Sequence, residues 1–127
     1  MLRDAALKFT RELTRTLTIQ SVSAVAITVN GEPYARTIAL TPDAVFENWD
    51  PKPIAELEDS DFANLLDAGP EIVLLGTGNN NVFPPRELMF AFARRGVGLE
   101  CMDTAAAART FNVLAGEGRQ VAAVLYL

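Results

Sequence analysis

Residues 71–78 read Glu71-Ile-Val-Leu-Leu-Gly-Thr-Gly78, an apolar run of strand length followed at once by a glycine-containing turn. Such a run is typical of a strand that is covered on both faces, as the strands of parallel sheets are. The segments that follow predict, in order, a helix from Pro84-Pro85 to about Arg94, a strand over 97–102, a helix capped by Asp103 or Thr104, and a strand over 121–126. The connections are long enough for crossovers, so the order predicts a largely parallel β-α-β-α-β layer.

The chain before residue 71 is predicted to be mainly antiparallel. A strand over 23–29 leads into Asn30-Gly31, a pair that tolerates positive φ and closes two-residue hairpins. The returning strand is expected over 32–40 and a short third strand over 45–49. A short helix capped by Asp59 or Ser60 then ends at Gly69-Pro70. A β-hairpin subdomain therefore precedes an α/β layer within one domain, expected over residues 18–127.

Residues 1–17 are expected to be an N-terminal extension. Apolar residues recur there at helical spacing, at Leu2, Ala6, Phe9, Leu13 and Leu17. The segment suits an organelle presequence or a membrane-surface helix on one interpretation, and a packed or frayed extension on the other. Because Asp4 and Glu12 interrupt the basic face, the second interpretation is favoured.

Composition excludes several classes of chemistry. The 127 residues carry a net charge of -5 and include no histidine and one cysteine. An acidic domain is a poor match for nucleic acid. A chain without histidine cannot form a serine–histidine or cysteine–histidine pair, and a single cysteine cannot form a disulfide within the chain. We therefore expect a soluble protein of a reducing compartment such as the cytoplasm, with no cofactor and no metal.

The turn Gly76-Thr77-Gly78 is the strongest local candidate for a ligand site. It follows a strand, at the end of an open α/β sheet where ligands tend to bind. Three interpretations remain open: a structural turn, a small-anion site, and a dinucleotide site. The dinucleotide pattern departs from the fingerprint, since Asn81 stands where a third glycine is required.

Asp103-Thr104 is expected beside this turn if the strands that precede the two turns are neighbours. The carboxylate of Asp103 is a candidate general base or hydroxyl ligand, and equally a helix N-cap. Arg109, further along the same helix, is a candidate anion partner or an exposed surface charge. Cys101 has no base with which to act as a nucleophile and is expected to be a buried apolar side chain.

The helix that begins after Pro84-Pro85 is apolar over more than one face. Its candidate interface residues are Leu88, Met89, Phe90 and Phe92, to which Trp49 in the third strand is added. Either the helix is wedged between the sheet and the hairpin, or one face contacts a second chain.

Seven segments together resemble one family over about residues 18–127. The segments are Ile27-Thr-Val-Asn-Gly31, Leu40-Thr-Pro-Asp43 leading to Trp49, Phe62-Ala-Asn-Leu-Leu66, Glu71-Ile-Val-Leu-Leu-Gly-Thr-Gly78, Phe83-Pro-Pro85, Met102-Asp-Thr-Ala-Ala106 and Thr110-Phe-Asn-Val-Leu-Ala-Gly-Glu-Gly-Arg119. In their order and spacing they resemble the conserved-domain family that includes mitochondrial complex I assembly factor 3 and the adipogenesis-associated Mth-type domain protein.

The resemblance implies a three-layer α/β fold with a mixed central sheet and an N-terminal β-hairpin layer. It implies no catalytic activity, and an assembly or interaction role with a protein partner or a second copy of the chain. The alternative is a small-anion or nucleotide-binding domain, or a cryptic enzyme, centred on the Gly76-Thr77-Gly78 turn and Asp103-Thr104.

Overall fold

Eight strands in two sheets form the framework of residues 16–127, the part of the chain that the computed structural model describes. The predicted N-terminal helix lies outside these residues apart from its last two positions. An antiparallel three-stranded sheet has the order β1-β2-β3, with β1 at Ile19–Val22, β2 at Ile27–Val29 and β3 at Glu32–Tyr34. A five-stranded sheet has the order β5-β4-β8-β6-β7, with β4 at Ile38–Leu40, β5 at Val45–Phe46, β6 at Ile72–Gly76, β7 at Gly98–Met102 and β8 at Val121–Leu125.

The β-α-β-α-β prediction is confirmed. Strand β6 lies between β7 and β8 and is parallel to both, with Ile72 level with Gly98 on one side and Val121 on the other. Strands β4 and β5 extend the sheet in antiparallel sense, so the central sheet is mixed. The carboxyl ends of β6, β7 and β8 therefore lie at one edge of the sheet, where the turns that follow them meet.

Three strand predictions in the first half are wrong. The predicted strand over 23–29 begins only at Ile27, in β2, because the Ser23 hydroxyl accepts hydrogen bonds from the backbone N–H groups of Val25 and Ala26 and turns the chain between β1 and β2. The predicted strand over 32–40 divides between the sheets. Glu32 is exposed in β3, whereas all three residues of β4 are buried, and a strand buried on both faces belongs inside the larger sheet. The third strand ends at Phe46 rather than at Trp49.

Three α-helices occur in the described residues: α1 at Ala63–Asp67, α2 at Arg86–Arg95 and α3 at Thr104–Gly116. Asp103 caps α3, since its Oδ1 accepts a 2.8 Å hydrogen bond from Ala106 N. Gly96 ends α2 with φ 70°. The predicted cap of α1 is wrong: a 3-10 turn at Asp59–Phe62 comes first, and the carboxylate of Asp61 accepts from Glu58 N at 2.9 Å.

The five-stranded sheet is the middle of three layers. One face is covered by α3 and the three-stranded sheet, whose shared core includes Phe111, Ile27 and Leu125. The other face is covered by α1, α2 and the 3-10 turns, whose core includes Phe62, Phe92 and Val124. Of the two interpretations of α2, wedging between the sheet and the hairpin is wrong, because α3 occupies that position. Helix α2 lies on the opposite face of the sheet, with its outer side exposed to solvent.

Candidate functional site

The two turns predicted to be neighbours do meet. Strands β6 and β7 are paired, and the chain that leaves them stays paired: Thr104 N donates to Gly78 O at 2.9 Å, and Gly78 N donates to Thr104 Oγ1 at 2.8 Å. This reciprocal pair joins the turn after β6 to the first residue of α3. The sequence argument from strand adjacency therefore predicted the location correctly.

The threonine hydroxyls of these turns are engaged within the chain. The hydroxyl of buried Thr104 also donates to Tyr126 O at 2.6 Å. The Thr77 hydroxyl donates to Asn80 O and accepts from Val82 N at 3.1 Å. Buried polar groups need such partners, and these partners are already supplied by the protein. The geometry favours the structural interpretation of the turn.

Gly76 allows a close approach between two elements rather than an approach to a ligand. A Cβ on Gly76 would lie 2.9 Å from Thr104 Cα and 3.2 Å from Ala107 Cβ. Gly78 differs, since its φ of 92° places it in the left-handed region and no atom lies within 4 Å of an added Cβ. The two glycines thus serve packing and turn geometry respectively.

A cleft of about 530 Å³ opens beside the turn. Its polar lining includes Ser23, Asn79, Asp103 and Thr104, and residues 16–127 contribute one side-chain carboxylate and no cationic side chain to it. Arg109 lines a separate groove beside β1, so the structure does not bring it to the turn. A negatively charged cleft is a poor site for an anion.

Trp49 is held against the interior of the chain. Its ring packs edge-on against Phe62 with centroids 5.1 Å apart, and Phe62 packs edge-on against Phe92 at the same separation. The Trp49 Nε1–H lies 3.4 Å from the Tyr126 hydroxyl, which donates to Lys52 O at 2.6 Å. Burial is the main cause of a raised Tyr126 pKa, so this phenol stays protonated as a donor. The outer side of Trp49 lines a cleft of about 450 Å³.

Of the four candidate interface residues of α2, two are buried and two are exposed. Leu88 and Phe92 are buried in the core between α2 and the sheet, so neither reaches a partner surface. Met89 and Phe90 are 39% and 55% exposed. The prediction of a partner contact on α2 therefore concerns Met89 and Phe90.

The loop before α2 adds an exposed aromatic residue that the sequence argument passed over. Phe83 is 77% exposed, directly before Pro84, which is buried. In the sequence, Phe83 entered only as part of Phe83-Pro-Pro85, one of the seven segments that carry the family resemblance. The available signal was the pattern itself, because two prolines after an aromatic residue fix the chain direction and restrict that residue to extended conformations.

The cysteine lacks the properties of a nucleophile. Burial, with a smaller contribution from the charge of Glu100, raises the pKa of the Cys101 thiol to about 11, so it is protonated at neutral pH. Among residues 16–127, no group of histidine, cysteine, aspartate and glutamate side chains is arranged to hold a metal ion.

The family model described as "Protein of unknown function (DUF498/DUF598)" matches residues 19–126. The chain belongs to this family. The resemblance drawn from the seven segments is thereby confirmed, and the match extends from β1 to the residue after β8.

Curated relatives of this DUF498/DUF598 member carry two kinds of name. The rat (Rattus norvegicus) protein NADH dehydrogenase (ubiquinone) 1 alpha subcomplex assembly factor 3 is 31% identical over 116 residues, 90% of this chain and 62% of the rat protein. The 13 kDa major membrane protein of Francisella tularensis is 30% identical over 93 residues, 72% of this chain and 76% of that protein. The chain thus spans less than two thirds of the rat assembly factor.

Solved structures share the fold. A Xanthomonas campestris protein is 35% identical with a TM-score of 0.80, the match covering 94% of this chain and 92% of that one. A Mth938-like domain of Bordetella pertussis is 28% identical with a TM-score of 0.75, covering 95% and 92%. The three-layer α/β fold with its mixed central sheet is confirmed. Within residues 16–127, no helix has both the length and the apolar composition needed to cross a bilayer.

Proposed function

We propose that this chain is a non-catalytic protein-interaction domain with an assembly-factor-like role, and that the outer face of α2 is its contact surface. We define the α2 face as Arg86, Met89, Phe90 and Arg94, four exposed residues on the side of the helix away from the sheet. The observation that carries the proposal is the exposure of the Phe90 ring, with Met89 beside it. Aromatic and methionine side chains are enriched in the buried centres of protein interfaces.

The α2 face is suitable for binding because the helix that carries it is firmly packed against the sheet. Leu88 and Phe92 fix α2 to the sheet, and Phe92 is anchored in turn by its edge-on contact with Phe62. An exposed ring on a well-packed helix loses little conformational entropy when a partner covers it. The α2 face is therefore preorganised.

The names of relatives support the same role. The rat relative is named as an assembly factor, a role that requires contact with other proteins. The alternative site at the Gly76-Thr77-Gly78 turn draws less support, because the threonine hydroxyls there are satisfied internally and the described part of the chain places no cationic side chain in its cleft. We propose that the protein acts in the cytoplasm or, in a eukaryote, in the mitochondrion.

Affinity purification from the native source tests the proposal. Three tagged chains are compared: wild type, Phe90→Ser, and Val113→Ser as a matched control. Val113 is an exposed apolar residue on α3, 58% accessible, on the opposite layer. We expect wild type and Val113→Ser to enrich the same protein, and Phe90→Ser to recover about tenfold less of it, as for the loss of an interface hot spot. Equal recovery by all three chains, or a strictly monomeric wild type that enriches nothing, would contradict the proposal.

A further inference from the structure

We propose that the partner of the α2 face is an acidic segment that covers Phe90 with an apolar side chain and places carboxylates against Arg86 and Arg94. The inference rests on the proposed function and adds the chemistry of the partner. It is carried by the charge and spacing of residues on α2.

The charge of α2 is opposite to that of the chain as a whole. The helix contains Arg86, Arg94 and Arg95 against one acid, Glu87, in a chain with a net charge of -5. Arg95, which lies outside the α2 face, is already paired within the chain, since its guanidinium lies 3.1 Å from the Asp59 carboxylate. Arg86 and Arg94 make no ion pair with any residue of 16–127. The α2 face therefore offers two arginines to an acidic partner.

The two arginines bracket the exposed ring. Arg86, Phe90 and Arg94 are spaced by four residues, so they form one row along the helix. At 1.5 Å rise per residue, the two arginine Cα atoms are about 12 Å apart. A row of cation, aromatic ring and cation is complementary to carboxylates on either side of an apolar side chain, and guanidinium groups bind carboxylates in two-pronged geometry.

Helix stability does not account for Arg86. It is the first residue of α2, where the helix dipole disfavours a cation, whereas Arg94 and Arg95 lie in the last turn, where a cation is stabilising. An arginine with no ion pair to residues 16–127, at the unfavourable end of the helix, is consistent with a function outside the chain.

The same charges disfavour a second copy as the occupant. Antiparallel packing of two α2 helices about Phe90 would place Arg86 of one copy level with Arg94 of the other, at both ends of the contact. Like charges directly opposite each other are unfavourable. An acidic segment of a different protein satisfies the same surface without this repulsion.

A titration with defined peptides tests the partner chemistry. The probe is a helical leucine–glutamate peptide with leucines on one face and glutamates flanking them, and its counterpart has lysine in place of every glutamate. The full ¹⁵N-labelled chain is titrated with each peptide and followed by amide NMR. We expect the glutamate peptide to shift amides of α2 and the preceding loop, and to bind more weakly as salt rises from about 50 to about 300 mM.

Matched arginine variants supply the control. We expect R86Q/R94Q to weaken binding of the glutamate peptide about fivefold or more, and R36Q/R109Q, which removes two exposed arginines elsewhere, to leave it within about twofold. Equal binding of the lysine peptide, shifts centred away from α2, or a concentration-dependent dimer through α2 would overturn the inference.

The two proposals fail in different ways. If Phe90→Ser loses the native partner while R86Q/R94Q keeps it, the interaction role stands and the acidic partner is wrong. If Phe90→Ser keeps the partner, the interaction role of the α2 face itself is wrong.

Discussion

The turn at 76–81 and the α2 face differ in whether the sequence reveals which side chains are available to bind a partner. The turn consists of glycine, threonine and asparagine, residues that commonly bind ligands, yet the hydroxyls of Thr77 and of the neighbouring Thr104 are engaged by partners within the chain. The α2 face has no recognisable motif, yet it presents an exposed ring between two arginines without partners among residues 16–127.

The difference shows that residue type indicates which chemistry a segment is capable of, while its neighbours determine whether that chemistry is available. Thr104 is engaged by Tyr126, which is 22 residues away in sequence. Local spacing contains no information about such a partner. We therefore expect substitutions in the turn to reduce stability and substitutions on the α2 face to reduce binding.

The largest effect is expected for Phe92→Ala, with Phe90→Ala as its control on the same helix. Phe92 is 1% exposed, so its truncation should lower the free energy of unfolding by about 3–5 kcal/mol. Phe90→Ala should change it by less than about 0.5 kcal/mol. Urea denaturation measures both. A large loss for Phe90→Ala would mean that the exposed ring is part of the core.

Gly76→Ala should come next. The added methyl group meets the backbone of Thr104, so α3 must shift, at a cost of about 2–3 kcal/mol. Gly116→Ala is the control, because nothing lies within 4 Å of its added Cβ and alanine favours the helix, giving a gain of up to about 1 kcal/mol. Denaturant unfolding of the two variants compares them. A neutral Gly76→Ala would show that the turn has room beside α3, as a ligand site requires.

Thr104→Val is expected to cost about 1–2 kcal/mol. Valine has the shape of threonine but leaves Gly78 N–H and Tyr126 C=O without their partner. Thr28→Val, a half-buried strand position, should change stability by less than about 0.5 kcal/mol. Thermal and urea unfolding report the difference. If the variant were as stable as wild type, the hydroxyl would not be structural and the turn would again be a candidate site.

Much of the fold follows from local signals. Apolar runs, proline, glycine and cap residues predicted the parallel layer, the Asn30-Gly31 hairpin and the cap at Asp103, since each depends on residues close in sequence. The division of 32–40 between two sheets was not predictable in this way. It depends on Ile38, Ala39 and Leu40 all being buried between layers that come from distant parts of the chain.

The contact between the two turns of the candidate site was predictable from the sequence, but the surroundings of its side chains were not. Strand adjacency predicted that Thr104 lies beside the Gly76-Thr77-Gly78 turn. The separation of Arg109 from this turn was not predictable, because it depends on which side of α3 the three-stranded sheet covers. The exposure of Phe90 and the burial of Phe92 likewise depend on which face of α2 contacts the sheet. An apolar pattern wider than one face does not determine that face.

Asp61→Asn is expected to have the smallest effect. It tests the segment that carries Trp49 and Lys52, whose side chains are half-buried. In this respect the segment is intermediate between the turn, whose threonine hydroxyls are bonded internally, and the exposed α2 face. Burial raises the pKa of Asp61, but hydrogen bonds from Glu58 N and from Lys52 outweigh it, so the net pKa lies below its usual 3.8. A carboxyl with a depressed folded-state pKa stabilises the fold above its unfolded-state pKa and loses this contribution as pH falls. The variant should therefore be about 0.5–1 kcal/mol less stable at pH 7, with the difference shrinking below about pH 4.

Asp67→Asn, at an exposed position, serves as the control, and urea unfolding across the pH range measures both variants. A difference that persists unchanged to pH 3 would mean that the Asp61 charge does not hold the segment carrying Lys52 and Trp49 against the aromatic cluster.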